Sequence, residues 1–222
     1  MTHRACLLIL AAAALAAGCA GATDREAPLV PVTIDFEAGA AGGLPPDFTA
    51  ALTGAGGPAA WVVREDPTAP SGKKVLVQES ADATNYRFPV CIYGKAVARD
   101  VAAEVKYKAI SGTLDQAGGI VLRYHPDNYY VARANALENN VILFKMVKGK
   151  RAKVVEAPAQ VKAGVWHTLR FEAKGPHLVI ALDGRVVIET DDTTFAGPGQ
   201  VGLWTKADSV SAFDDLRIEP VR

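Results

Sequence analysis

Eight side chains in the C-terminal part of this 222-residue chain are of the types that recognise a polyhydroxylated ligand: Arg123, Tyr129, Arg133, Asn135, Glu138, Lys145, Trp204 and Lys206. An indole can stack on the apolar face of a sugar ring, while guanidinium, amide and ammonium groups hydrogen-bond its hydroxyls. At the period of two expected of a strand, Tyr129, Val131, Arg133 and Asn135 share a side. Trp204 and Lys206 share a side opposite Leu203, Lys145 lies with Val141 and Leu143, and Arg123 alternates with Leu122 and Tyr124. If these polar sides coincide, one sheet face carries the whole set. Glu138 sits in the polar stretch Asn135-Ala136-Leu137-Glu138-Asn139-Asn140, where a tight turn would have sufficed. Longer polar loops on rigid scaffolds often carry function. The competing readings are an Arg133–Glu138 pair across a turn, Trp204 in the core, and solvated lysines.

Catalytic residues cannot be picked out. Glycoside hydrolysis takes two carboxyl groups roughly 5–10 Å apart, and Asp100, Glu104 and Glu138 have no evident partner. His125, His167 and His177 are scattered, and no Ser-His-Asp arrangement, metal-binding His pair or phosphate loop stands out. The one cofactor with a candidate site is a structural calcium ion. Asp35 and Glu37 lie near the start of the domain and Asp214 and Asp215 near its end. If the first and last strands are neighbours, these hard oxygen ligands could clamp the ion. Otherwise Asp214 and Asp215 cap backbone groups or pair with Arg217.

The charge balance, 24 basic against 24 acidic side chains, offers no basic field to gather nucleic acid. Of the three cysteines, Cys6 and Cys19 are N-terminal, which leaves Cys91 without a disulfide partner in the rest of the chain. Its surroundings, Phe88-Pro89-Val90-Cys91-Ile92-Tyr93, are those of a buried core residue.

The elements that must hold these side chains are strands. Segments of alternating or continuous apolar character recur about every 8–12 residues, among them Val32–Glu37, Trp61–Arg64, Lys74–Gln78, Gly119–Tyr124, Tyr129–Ala134, Val141–Val147 and Trp166–Ala173. Residues 38–58 read as a long loop, 97–108 as one half-exposed strand, and 79–86 or 135–139 as room for a single helical turn. Asp183-Gly184 is the strongest two-residue hairpin signal. The pattern predicts an all-β, antiparallel β-sandwich over residues 31–222, forming a single domain, with a barrel as the alternative.

Two resemblances extend this reading. Met1–Arg4 is positively charged, and Cys6–Ala17 is an apolar run too short to span a bilayer, which takes ~20 residues. Leu15-Ala16-Ala17-Gly18-Cys19 then resembles a bacterial lipobox, with Ala16 where leucine is usual. The resemblance implies a signal peptide over residues 1–18, a lipid on Cys19, a flexible tether over 19–30, and export with anchoring in a membrane. Ala20, by similarity to Gram-negative lipoproteins, points to the outer membrane.

The second resemblance rests on Gly119–Tyr124, Asn128–Val141, Trp166-His167-Thr168-Leu169-Arg170, Leu182-Asp183-Gly184, Gly199–Ser209 and Phe213-Asp214-Asp215-Leu216-Arg217-Ile218. In this order they resemble the concanavalin A-like jelly rolls, nearest the bacterial 3-keto-disaccharide-hydrolase-like and laminin-G-like group. That implies a glycan ligand at the concave sheet or its rim. The resulting expectation is a monomeric envelope lipoprotein that binds carbohydrate without catalysis. The alternatives are a glycoside hydrolase or lyase acting on a 3-keto glycoside, and a structural or interaction module. An open groove with an exposed Trp204 would favour the binder; a face filled by its own side chains would favour the structural role.

Overall fold

The computed structural model describes residues 28–221, and within them the chain is all β, with no helix. The signal segment, Cys19 and most of the tether lie outside the described residues. Fifteen strands form: β1 (Val32–Ile34), β2 (Phe48–Gly54), β3 (Trp61–Glu65), β4 (Lys74–Gln78), β5 (Arg87–Ala98), β6 (Val101–Ser111), β7 (Ala117–His125), β8 (Asn128–Asn135), β9 (Asn140–Val147), β10 (Lys150–Pro158), β11 (His167–Lys174), β12 (His177–Leu182), β13 (Arg185–Asp191), β14 (Gly199–Thr205) and β15 (Val210–Pro220). Two segments depart from the sequence reading. The glycine-rich stretch 38–58 contains β2, and 97–108 is divided by a turn at Arg99-Asp100 between β5 and β6.

The strands build two antiparallel sheets. The first has eight strands in the order β13-β12-β11-β6-β15-β4-β3, with β1 also paired to β15. The second has seven, in the order β10-β9-β8-β7-β14-β5-β2. Short turns set the register within each. Asp183 and Gly184 both have positive φ (50° and 79°), as do Lys148 and Gly149 (50° and 73°). That is the backbone whose twist matches a two-residue hairpin.

Between the sheets lies the main core. Val101, Ala103, Val105 and Tyr107 of β6 face Ile120 and Leu122 of β7, Tyr130 and Ala132 of β8, and Val201 and Leu203 of β14. Cys91 belongs to this core, fully buried, and burial pushes its thiol pKa up.

The second sheet has a further core on its other face. Phe88, Val90, Ile92, Val121, Tyr129, Val131, Ile142, Phe144, Met146 and Trp204 form it, all buried. A sheet face of a sandwich normally meets water; this one is enclosed by its own curl. Arg151 on edge strand β10 places its guanidinium 4.4 Å from the Phe144 ring and 4.8 Å from the Phe88 ring. Phe144 is on β9 and Phe88 on β5, so three strands lie between them. The Arg151 backbone N–H also donates to the Tyr86 hydroxyl at 2.6 Å, tying the edge strand to the far side.

The expected calcium clamp is not assembled. The first and last strands do pair, Val32 against Ile218. The four carboxylates are taken up by backbone and hydroxyl donors, Asp214 and Asp215 both by Ser71. Glu37 accepts the backbone N–H groups of Lys73 (2.7 Å) and Lys74 (2.6 Å), which hold its pKa low. Asp35 accepts Glu37 N–H. Asp214 accepts Ser71 N–H at 3.1 Å and Asp215 accepts the Ser71 hydroxyl at 2.7 Å. Burial pushes the Asp214 carboxyl up to about 6, against those hydrogen bonds. Among the described residues no three His, Cys, Asp or Glu side chains converge as metal ligands.

Candidate functional site

The outward face of β8 carries Tyr129, Val131, Arg133 and Asn135, and that of β14 carries Trp204, with Lys206 just beyond the strand. Register places Arg133 between Gly119 and Ile142, and Asn135 between Ala117 and Asn140. Trp204 pairs with Gly119 on one side and Val90 on the other. Gly119 is obligatory for this close approach, since a Cβ there would lie 2.6 Å from the Ala132 carbonyl oxygen.

The face divides into an apolar interior and a charged end. In the interior, Trp204 is fully buried and stacks on Phe88 with ring centroids 5.6 Å apart and planes 16° apart. It is a core residue and no exposed platform, because Phe88 stacks on it and Arg151 of β10 in turn covers Phe88 and Phe144. Tyr129 is equally buried; burial pushes its phenol pKa up, against the nearby Thr53 hydroxyl and Trp204 N–H. Neither the Tyr129 hydroxyl nor the Trp204 indole N–H has a partner in full hydrogen-bond geometry.

At the charged end Arg133, 2% exposed, donates to Glu138 Oε2 at 2.8 Å and to Asn140 Oδ1 at 2.5 Å. Its Nη1 lies 3.9 Å from Asp115, and its Nε has no partner. Asp115 is fully buried. It accepts a hydrogen bond from Asn135 Nδ2 at 2.6 Å and forms an ion pair with the Lys206 ammonium. The loop bearing Asp115 is fixed by the Asp208 carboxylate, which accepts the backbone N–H groups of Thr113 (2.6 Å), Leu114 (3.1 Å) and Asp115 (3.0 Å). Asn140 in turn donates to Glu138 and, at 2.7 Å, to Glu156 on β10.

The two acids here are pushed apart. Burial raises the Asp115 carboxyl, with Lys206 and Arg133 pulling the other way. Burial also acts to raise Glu138, but Arg133 and Asn140 hold it below its usual range. Glu138 has a 44% exposed side chain. Its Oε2 is engaged by Arg133 and Asn140, while Oε1 has no hydrogen-bond partner among the described residues. A buried guanidinium and a buried amide thus present a half-exposed carboxylate to solvent.

Two of the expected members lie elsewhere. A bulge between Leu122 and His125 puts Arg123 at a φ of 53° and swings it off this face. It donates instead to the carbonyls of Arg99 (2.9 Å), Phe195 (2.5 Å) and Gly175 (2.7 Å), knitting one end of the sandwich. Lys145 lies on the opposite side of β9, with Val141 and Leu143, and donates to Asp192 (2.7 Å) and Thr194 (2.8 Å). Sequence reasoning missed Asp115, Asn140, Arg151 and Glu156. The Gly112-Thr113-Leu114-Asp115 turn was the one local signal for Asp115; the partners of the other three are set by strand pairing.

Residues 60–219 match the family described as the 3-keto-alpha-glucoside-1,2-lyase-like domain. The chain belongs to that family. A levanase of Bacillus subtilis (strain 168) is 31% identical over 107 residues, which are 46% of this chain and 15% of the levanase. The chain therefore spans a small part of that relative's length. Among solved structures, the carbohydrate-binding module CBM66 from Bacillus subtilis superimposes with a TM-score of 0.61 at 22% identity, covering 78% of this chain and 95% of the module. A Bacillus subtilis protein of unknown function with a galectin-like fold gives a TM-score of 0.53 at 9% identity, covering 78% of this chain and 89% of that one. This lyase-like family member thus has a fold of the kind used by carbohydrate-binding modules, and the jelly-roll expectation is met.

Proposed function

We propose that this protein binds carbohydrate at the cell envelope, and that the sugar meets the charged end of the second sheet. One observation carries the reading: Glu138, oriented by buried Arg133 and Asn140, offers a free carboxylate oxygen to solvent, within the electrostatic reach of the Lys206 ammonium that Asp115 anchors. Sugar hydroxyls are donors and acceptors at once, and charged partners of fixed orientation recognise them with geometric selectivity. The filled apolar interior removes the indole as a platform, the outcome that by itself favours a structural or interaction role; the charged rim, with its half-exposed carboxylate, is what keeps the binding reading first.

The family name and the levanase similarity suggest two probes, a 3-keto glucoside and levan. Glu138→Gln keeps an oxygen for Arg133 but removes the charge; it is expected to weaken binding about tenfold, the loss of roughly 1.4 kcal/mol, in a variant that still folds but melts somewhat lower because buried Arg133 loses its charged partner, so binding is compared well below both melting temperatures. Unchanged affinity in the variant, or no binding of either probe by the native chain, would contradict the site.

A second reading is favoured by the divergent acids. In a 3-keto glucoside the carbonyl acidifies the C2 proton. A base such as Glu138 could take it while an acid such as Asp115 protonates the oxygen leaving C1, giving an enone and the free alcohol. It ranks second because Asp115 is fully buried and held by Lys206 and Asn135. Appearance of an enone absorbance from a 3-keto glucoside, lost in Glu138→Gln, would put it first.

The envelope location rests on Cys19 and its surroundings. Cys19→Ala is expected to move the protein from the membrane to the soluble fraction, since lipid chains supply the attachment. Membrane retention of that variant would count against anchoring through this cysteine.

A further inference from the structure

Away from the charged rim, the segment from Pro158 to Trp166 and the β12–β13 hairpin enclose a cleft of about 630 Å³. Its lining includes Gln160, Lys162, Trp166, Asp183, Arg185 and Val187. Trp166 differs from the other two tryptophans. Trp61 and Trp204 are buried at 3% and 0%, whereas Trp166 is half-buried. Its ring is also held rigidly. The indole N–H donates to Thr68 Oγ1 at 3.3 Å, and the Lys108 ammonium stands 4.7 Å from the ring centroid. Lys108 is itself fixed by Asp66 (2.5 Å) and Thr68 (2.7 Å).

The charges around this indole do not cancel. Asp183 has its oxygens engaged, accepting Thr168 N–H at 2.8 Å and facing His167 Nδ1 at 2.7 Å, but keeps its negative charge, which one of the two cations below offsets and the other exceeds. His167 Nε2 accepts the Lys162 backbone N–H at 2.9 Å, so its other nitrogen carries the proton toward Asp183. The exposed Lys162 and Arg185 side chains have no ion-pair or hydrogen-bond partner among the described residues. The indole packs on Val75, Val77 and Ala212 and carries Lys108 over its ring, so the cleft offers the remaining part of a preorganised aromatic surface, an amide and two uncommitted cations. An aromatic surface suits the apolar face of a sugar ring, and a free guanidinium suits a planar anion.

We infer that this cleft is a second saccharide site, separate from the Glu138 rim, and that it selects anionic sugars bearing carboxylate or sulfate groups. Trp166 supplies the stacking surface, Arg185 and Lys162 meet the anion, and Gln160 reads a hydroxyl. The site does not depend on the rim being a site.

The test is a titration of the full-length protein, followed by tryptophan fluorescence and calorimetry. The probes are a galacturonate oligosaccharide, a sulfated oligosaccharide and a neutral oligosaccharide of the same length. At least one anionic probe is expected to bind about tenfold or more tightly than the neutral one and to perturb the emission of the half-exposed indole. The galacturonate and sulfated arms show which anion is preferred. Trp166→Ala should weaken binding about tenfold or more, as loss of a stacking surface does. If that variant fails to fold, exposed Arg185→Glu carries the test and should abolish the preference for the anionic probe. Glu138→Gln should leave this binding unchanged, which separates the two sites. Failure of both anionic probes to bind, or equal affinity in native protein and Arg185→Glu, would overturn the inference.

Discussion

Trp204→Ala should destabilise the fold by about 3–5 kcal/mol, the usual range for truncating a buried tryptophan. The indole is fully buried, stacks on Phe88 and lies in the second core of the curled sheet. Part of the loss comes from the cavity, because β14, which carries Trp204, is held by its pairing with β5 on one side and β7 on the other and cannot collapse inward. For a chain of this size each kcal/mol lowers the melting temperature by roughly 2–4 °C, so a fall on the order of 10 °C or more is expected in thermal denaturation. Retained stability with loss of sugar binding would restore the indole as an exposed platform and contradict the closed interior.

Lys206→Met should cost a comparable amount, about 3–5 kcal/mol, through a different cause. Lys206 is the close cation on Asp115, whose side chain is fully buried. Removing it leaves a buried carboxylate with Asn135 and, at 3.9 Å, Arg133. Breaking one side of a buried ion pair is severe because the other charge stays desolvated. The pH dependence identifies the cause. Burial already raises the folded-state pKa of Asp115 above its unfolded value, and loss of Lys206 raises it further. A carboxyl of this kind favours the folded state below its unfolded pKa, and that contribution is lost as pH rises through the folded value. The deficit of Lys206→Met should therefore be greatest at neutral pH and shrink on acidification. Denaturant titrations of native and variant protein across that range measure it; a deficit independent of pH would assign the loss to packing alone.

Much of the fold is legible in the sequence because a half-buried strand repeats every two residues. Val101, Ala103, Val105 and Tyr107 identify the inward side of β6, and Asp183-Gly184 identifies its hairpin by backbone preference alone. The same period groups Tyr129 with Arg133 and Asn135. The second core was not legible. Alternation tells which residues share a face but not how far the sheet bends, and the bend alone decides that Trp204 is buried while Glu138 is half-exposed. Arg123 escaped because one bulge reverses the side that alternation assigns. Alternation groups Lys145 with Val141 and Leu143, as the structure does, and only the pairing of β8 with β9 shows that this side is opposite to Arg133. Asp115 lies in a turn whose conformation is set by Asp208, distant in sequence.

The central claim is that sugar contacts the charged rim, and backbone amide chemical-shift mapping of the full-length protein during titration with levan or a 3-keto glucoside tests it most directly. The expected result is a saturable set of shifts centred on Leu137, Glu138, Asn140 and Lys206, with the interior residues Val131 and Met146 little changed. Saturable shifts confined to other parts of the molecule, or no shifts with either sugar, would contradict it.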